Sequence, residues 1–551
     1  QVSVTEITRN DRHTDAYLFL LGANDHVLPA VGQSGGILND DDREELAQRG
    51  IRLAPSGMEQ MGIELQNLYA ALVQPREGLV VSYPTADVSG AELRPAFVVD
   101  RLLTLFPELR IEHEGTDKAY RLTAKIPALE TAGTAPGGIL WRYFADDEVL
   151  APPMAAMERA AALKRGSLSR RAVQALYGER ISMSASRVER LRSCHFAYFM
   201  EYGLKAKARR AAAFDAPQIG TFLHYLLEHV TRDVLDRGGF AAVGEEDLHA
   251  LVRQYIDQYA EVMLHNLEGR NARFRYLFAR LRNTAYAVVD QIAEEMRCSD
   301  FVPLAFELSF GERGELPAVT VSEPDAELRI GGKVDRVDGW EHDGRLYLRV
   351  VDYKTGRKTF DLTDIWNGMG LQMLLYLFTL EREGEALYNR EIIPAGVLYL
   401  PARDAVVAGS RAMSEAERRR KVDAELRRRG IVLDEPEVLA AMEEPGEAGI
   451  RFLPVKVNKA GAITGEALVS AERLGKLARH TGRILGEIGR ELAAGNIAAD
   501  PFWRGPDHNA CQWCEYAAAC HFEEGRGGDR RRFLPAVRGE EFWQAVAKEQ
   551  V

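Results

Sequence analysis

Two acids, a lysine and a histidine carry the chemistry that this sequence can offer. Asp335 lies mid-way along IGGKVDRVDGW, and Asp352 and Lys354 fall at the end of RLYLRVVDYKTG. Both stretches read as strands, and EHDG between them reads as the turn of a hairpin. Positions 352 and 354 are two apart, so a strand turns both side chains to one face. Two carboxylates and an ammonium then converge on one sheet edge. Hard oxygen ligands suit Mg²⁺ or Mn²⁺. A lysine beside such an ion can position a water or stabilise charge on a phosphate. Taken alone, the Asp–Lys pair reads first as a surface ion pair, and Asp352-Tyr-Lys-Thr-Gly as ordinary turn chemistry. The surrounding set changes that balance.

The elements that must position these residues are legible on either side. FVPLAFELSF reads as a strand and carries Glu307, which could reach the same edge. DIWNGMGLQMLLYLFTL reads as a helix with Gln372 and Tyr376 four apart, facing one way. IIPAGVLYLPA is a further strand. Upstream, APQIGTFLHYLLEHVTRDVL is an amphipathic helix with His224 and Glu228 on one face. A single histidine on an apolar helix is more often structural, so His224 matters only as part of the set. The order is αβββαβ.

The five cysteines are unevenly placed: Cys194, Cys298, Cys511, Cys514 and Cys520. Cys511-x₂-Cys514-x₅-Cys520 is a strong metal or cluster signal. A closed four-coordinate site needs one more ligand, and Cys194 is the candidate. Zinc and an iron–sulfur cluster both suit four thiolates, and spacing barely separates them. Either would close a loop of roughly 300 residues and restrict the unfolded chain. Cys194 sits after an expected helix N-cap at Ser184 or Ser186, with Glu189 completing a capping box. Cys298 reads as a buried free thiol.

The chain has 551 residues, enough for about two to four domains. Its 70 Lys and Arg against 82 Asp and Glu give a net charge of −12, which excludes a protein coated in basic surface. Local basic patches remain compatible with nucleic acid. No apolar run reaches the length of a membrane span, and the N-terminus has no signal-peptide core. A cytoplasmic protein is expected. The sequence opens in what looks like a strand, as the C-terminal part of a longer chain would. Residues 1–130 alternate strand and helix, with Asn39 or Asp40 capping the DREEL helix. Residues 131–180 read as a linker with one or two surface helices, and the basic run 164–171 as a solvated face. The charge-dense helix SEAERRRKVDAELRRRG lies in an expected helical insertion, 401–495, and is read as solvated. A cysteine-bearing segment, 496–551, follows.

His224, Asp335, Asp352-Tyr353-Lys354 and Gln372-x₃-Tyr376, in this order, resemble the RecB-family branch of the PD-(D/E)xK nucleases. With Cys194 and the three late cysteines, the set resembles the iron-staple nucleases, which include the AddB and Cas4 groups. LLGANDHVLPA, DREEL and LYAALVQPREGLVVSYP resemble the second RecA-like domain of superfamily-1 helicases. Active helicases carry Tyr-Val-Ala-x-Thr-Arg-Ala where this chain has Tyr69-Ala70-Ala71-Leu72-Val73-Gln74-Pro75. Gln74 replaces the arginine that would stabilise ATP's γ-phosphate. The Ser-Lys-Gly-Leu-Glu signature and a GxxxxGK[ST] loop are missing too. A motor-dead helicase-like unit followed by this nuclease looks like the AddB family, second subunits of AddAB helicase–nucleases.

The resemblance implies a division into three. Residues 1–130 would be an inactivated helicase-like domain, 131–180 linker helices, and 181–551 a restriction-endonuclease-like αβββαβ nuclease domain with an iron–sulfur staple. It implies Mg²⁺ or Mn²⁺ held by His224, Asp335, Asp352 and the Tyr353 carbonyl. Lys354 would be catalytic, and Gln372 and Tyr376 would position the DNA strand. Cys194, Cys511, Cys514 and Cys520 would hold a structural 4Fe–4S cluster rather than zinc. The expected partners are DNA and an AddA-like helicase–nuclease subunit in a heterodimer, with no membrane. Such subunits digest the strand ending 5′, and their inactive helicase fold is associated with recognising a Chi sequence. The alternatives are a stand-alone Cas4-like repair exonuclease and a DNA-binding scaffold with a structural zinc site.

Overall fold

In the computed structural model, the first strand and helices fall where the apolar pattern requires them. The structure describes residues 3–8, 16–30, 38–87, 91–113, 119–135, 137–162, 164–207, 216–262, 272–324, 326–410, 412–446, 449–458 and 460–548. Two units are present, 1–158 and 159–551.

In the first unit β1 (Tyr17–Leu21) and β2 (Gly78–Ser82) pair in parallel. Parallel strands need a crossover, which the helices Asp40–Gln48 and Gly57–Leu72 supply. Both helices open on capping boxes, Asn39 with Asp42 and Ser56 with Glu59. The buried Asn24 amide donates to the carbonyls of Pro84 and Arg94, fixing the turn after β1. A second apolar cluster, Ala128, Ala132, Trp141, Phe144 and Met154, joins the helices beyond residue 125. The stretch 131–158 is therefore packed helix of the first unit rather than a linker.

The second unit is built on one large sheet. Its strands are β3 (Arg180–Ser184), β4 (Val302–Phe310), β5 (Val319–Glu323), β6 (Ala326–His342), β7 (Arg345–Lys354), β8 (Glu391–Pro401) and β9 (Arg429–Leu433). The order runs from the short strand Leu468–Val469 through β9, β8, β7 and β6 to β3, with β4 and β5 also on β6. β6 and β7 are the expected hairpin, and β7 and β8 run parallel. β6 changes partners along its length, meeting β3 and β5 first and β4 and β7 later. Val337, Leu348 and Val350 pack with the helices Gln372–Glu383 and Ala471–Ala493. Val351, Tyr353 and Leu400 pack with the helices Ala216–Asp236, Glu245–Val262 and Ala272–Arg297.

Several local expectations change. β3 occupies a short polar run that reads as a helix cap. Ser184 does cap the next helix, but Glu189 lies past the capping position and faces Lys358 at 3.4 Å. Cys194 lies at the junction of two helices, not within one. The helix expected over 364–380 breaks after Trp366, because Gly368 and Gly370 take φ of 82° and 66°. The charged helix ends at Glu425, and the β-branched run behind it becomes β9, so 401–495 contributes to the main sheet. Cys298 is exposed, not buried, at the end of its helix.

Beneath the hairpin lies a buried charge cluster. Arg336, Asp338 and Arg349 are each 0% exposed. Asp338 Oδ2 accepts from Arg336 at 3.0 Å and from Arg349 at 2.9 Å. Glu295 accepts from Arg428 at 2.5 Å. Burial works against the Glu295 carboxylate, yet the guanidiniums of Arg428, Arg349 and Arg336 hold its pKa below the usual range. Removing one partner strands the others. Asp338→Ala is therefore expected to lower the unfolding free energy by about 3–5 kcal/mol, measured by chemical denaturation.

Candidate active site

Strand register lines up three acids. β4 places Phe306 opposite Arg336 and Leu308 opposite Val334, so Glu307 lies across from Asp335. β7 places Val351 opposite Arg336, so one residue further on Asp352 lies on the other side of Asp335. Glu307 has φ of 53°. A left-handed backbone at a non-glycine residue costs about 1–3 kcal/mol and tends to mark functional sites.

His224 reaches this row from its helix. Its Nδ1 is 3.4 Å from Asp335 Oδ1 and 3.9 Å from Glu307 Oε1. Its Nε2–H donates to the Tyr353 carbonyl at 3.2 Å, and the Tyr353 N–H donates to Asp335 Oδ2 at 2.8 Å. His224, Glu307 and Asp335 each offer a ligand atom within 4.8 Å of the others. Asp352 lies outside this trio. Its Oδ2 forms an ion pair with Lys354 Nζ at 2.5 Å, and Lys354 sits over the Tyr399 ring. An open cavity of about 480 Å³, lined by Gly220, Thr221, His224, Tyr225, Glu228 and Glu307, leads to the histidine side.

Gln372 and Tyr376 belong to the same neighbourhood by a different route. Tyr376 is buried within the field of Asp352 and Asp335, and the Gln372 amide donates to its hydroxyl at 3.0 Å. The tyrosine ring lies edge-on to Phe310 and close over Gly332. A Cβ at Gly332 would come within 2.8 Å of both rings, so only glycine admits this approach. Sequence reasoning misses Lys333, which pairs with Glu307 at 2.5 Å. Its signal is there to be read, since it precedes Asp335 by two, the spacing that singles out Lys354.

The electrostatics are those of crowded acids. Burial, then the charge of Asp335, raises the Asp352 carboxyl to about 6, against the opposing pull of Lys354. Burial works against the His224 imidazolium, but Asp335 and Glu307 outweigh it and lift its pKa to about 10. Without a metal ion, an imidazolium and two lysines are the counter-charges of three carboxylates.

The cysteines gather at a second place. Burial, then the other three thiols, pushes Cys511 up to about 11. Burial also raises Cys520 to about 11, against the pull of Arg165. Cys194 is buried beside Tyr516, with Cys514 packed against them. Hydrogen bonds hold the two ends of the unit together around these sulfurs. His195 Nδ1 meets Asp500 at 2.8 Å, Phe196 N–H donates to the Ala498 carbonyl, and Arg532 donates to the Arg192 carbonyl.

Residues 182–521 match the PD-(D/E)XK nuclease superfamily. The chain belongs to that superfamily. The chain is 30% identical to an ATP-dependent helicase/deoxyribonuclease subunit of Clostridium perfringens (strain 13 / Type A), with 99% of this chain and 49% of that protein covered. The proteins of the same name from Acetivibrio thermocellus and Clostridium acetobutylicum are 30% and 27% identical, with 100% of this chain and 50% of each covered. The chain thus spans about half the length of the curated relatives it matches. Among the described residues, no helix is long and apolar enough to cross a membrane.

The raised His224 pKa has a sign that can be checked. Its protonated form stabilises the metal-free fold fully below about pH 6.5. That contribution is lost as pH rises through about 10. NMR titration of the metal-free protein should place the His224 midpoint far above the ordinary value. Asp335→Asn should draw it back towards about 6.5.

Proposed function

We propose that this chain is a metal-dependent DNA exonuclease subunit of an ATP-dependent helicase–nuclease that resects double-strand breaks for recombinational repair. The observation that carries the reading is the row Glu307, Asp335, Asp352 with Lys354 beside it and His224 above it, in a PD-(D/E)XK chain. The relatives' names point to the same kind of assembly. An AddA-like subunit is the proposed partner and DNA the substrate. A cytoplasmic location follows from that role.

The donor set fits a hard divalent cation. Carboxylates, one imidazole and a main-chain carbonyl are ligands that Mg²⁺ or Mn²⁺ accepts. His224, Asp335, Asp352 and the Tyr353 carbonyl would hold it, with Glu307 close enough to join them. When bound, such an ion polarises a phosphoryl oxygen and lowers the pKa of water. The chain's own residues do the rest. Lys354, fixed by Asp352 and the Tyr399 ring, orients the attacking water and offsets charge developing on the phosphate. Gln372, anchored by Tyr376, positions the DNA strand. His224 would have to be neutral to act as a ligand, so cation affinity would rise with pH.

We infer that the four cysteines hold a 4Fe–4S cluster with a structural role. Burial raises the Cys511 and Cys520 thiols, and each also lies in the field of the other three sulfurs. The first unit is read as a helicase-like domain without its motor, because Gln74 stands where the γ-phosphate arginine would be. Its proposed role is DNA recognition, including Chi.

Two outcomes follow. Lys354→Ala and Asp352→Asn should each reduce Mg²⁺-dependent cleavage of single-stranded DNA by about 100-fold or more while DNA binding persists. Wild-type cleavage by either variant would refute the assignment. Anaerobically purified protein should carry about four irons per chain and lose them in Cys511→Ser. A single zinc in their place would overturn the cluster.

A further inference from the structure

The acids occupy one side of Lys354, and the other side is basic. Crossing the sheet end from β7 to β9, Lys354 lies opposite Pro401, and Tyr399 lies opposite Arg429. A pocket of about 130 Å³ opens there, with five cations, Lys354, Arg357, Lys358, Arg403 and Arg429, and one acid, Glu425, in its wall. In a chain with a net charge of −12, this pocket gathers cations.

The pocket is organised, not merely basic. Glu425 holds Arg357 and Arg403, each at 2.8 Å, and so fixes two guanidiniums with one carboxylate. Asp352 pairs with Lys354 and Glu189 with Lys358, so five cations meet three carboxylates and the wall keeps an excess of positive charge. Arg403 Nε is buried and, among the described residues, has no hydrogen-bond acceptor. Lys354 belongs both to this pocket and to the acid row, so the two sites share a wall.

We propose that this pocket binds a phosphodiester of the nucleic-acid strand adjacent to the one being cut. A phosphate oxygen would accept from the exposed Arg429, and Arg357, Lys358 and Arg403 would surround the charge. The strand then crosses the sheet end from the acids on β4, β6 and β7 to the cations around β8 and β9. The inference rests on the nuclease reading and deepens it, by naming what sets the path of the strand past Lys354.

The test uses the full chain with Arg403→Gln, the exposed Arg429→Gln, and Arg390→Gln at the opposite end of β8 as control. Fluorescence anisotropy with single-stranded oligothymidylate in EDTA reads binding across a salt series. Cleavage in Mg²⁺ compares the oligonucleotide with bis(p-nitrophenyl) phosphate, which has no neighbouring phosphate. In each pocket variant the salt slope should fall by roughly 0.7, and KM for the oligonucleotide should rise about tenfold. Selectivity for the oligonucleotide over the small diester should drop by the same factor, and Arg390→Gln should change neither. Unchanged salt slope and KM in Arg429→Gln and Arg403→Gln would overturn the proposal. So would an equal loss on both substrates, which would make these arginines structural. If wild type cuts neither substrate but the variants still lose binding, the nuclease reading fails and the phosphate pocket stands.

Discussion

The active site depends on the register of β6 against β7. Side chains alternate along a strand, so a slip of one residue would turn Asp335 away from Asp352. The same slip would carry Arg336 and Arg349 out of the buried layer. The hairpin's valines and leucines do not prevent this well, since apolar residues lie on both faces of β7. Charge does. Asp338 lies directly opposite Arg349 and two residues from Arg336, and it bonds both. Any other register leaves a buried charge without its partner, a penalty of several kcal/mol. The Asp338 cluster on one face therefore fixes which residues the other face presents.

Gathering three carboxylates creates a second constraint. Each one added raises the cost of ionising the next, as the raised Asp352 pKa records. The fold answers with cations placed around the row. Lys333 pairs with Glu307, Lys354 with Asp352, and the His224 imidazolium with Asp335. His224 differs from the lysines, because its imidazole could serve as a metal ligand once neutral.

Much of this is legible in the sequence, and the failures have physical causes. The hairpin, the flanking strands and the His224 helix are long and strongly patterned, and they fall where expected. β3 and β9 are five residues each and carry no alternation long enough to read. The break before Gln372 turns on two glycines inside an otherwise helical run. Cys298 reads as buried by the habits of free thiols, and one helix end decides otherwise. Asp352 and Lys354 announce themselves because they are two apart on one strand. Glu307 is legible as a strand residue able to reach that edge, but its approach to His224 rests on a left-handed backbone that nothing in FVPLAFELSF signals.

The remaining problem is one of distance along the chain. The helix before Cys194 and the segment 496–533 are far apart in sequence, and closing so long a loop costs several kcal/mol of entropy. Short-range contacts meet part of that cost: His195 between Asp500 and Glu491, Arg165 on Asp529, and Tyr516 on the Ala206 carbonyl. These contacts also place the four cysteines near one another before anything binds them. A cluster held there would then tighten an arrangement that hydrogen bonds already favour. The sheet needs that closure, because the Ala471–Ala493 helix covers its inner face and leads directly into the cysteine segment. Loosening the segment would therefore loosen the layer that holds Gln372 and Tyr376 against β6, although no cysteine touches the acids themselves.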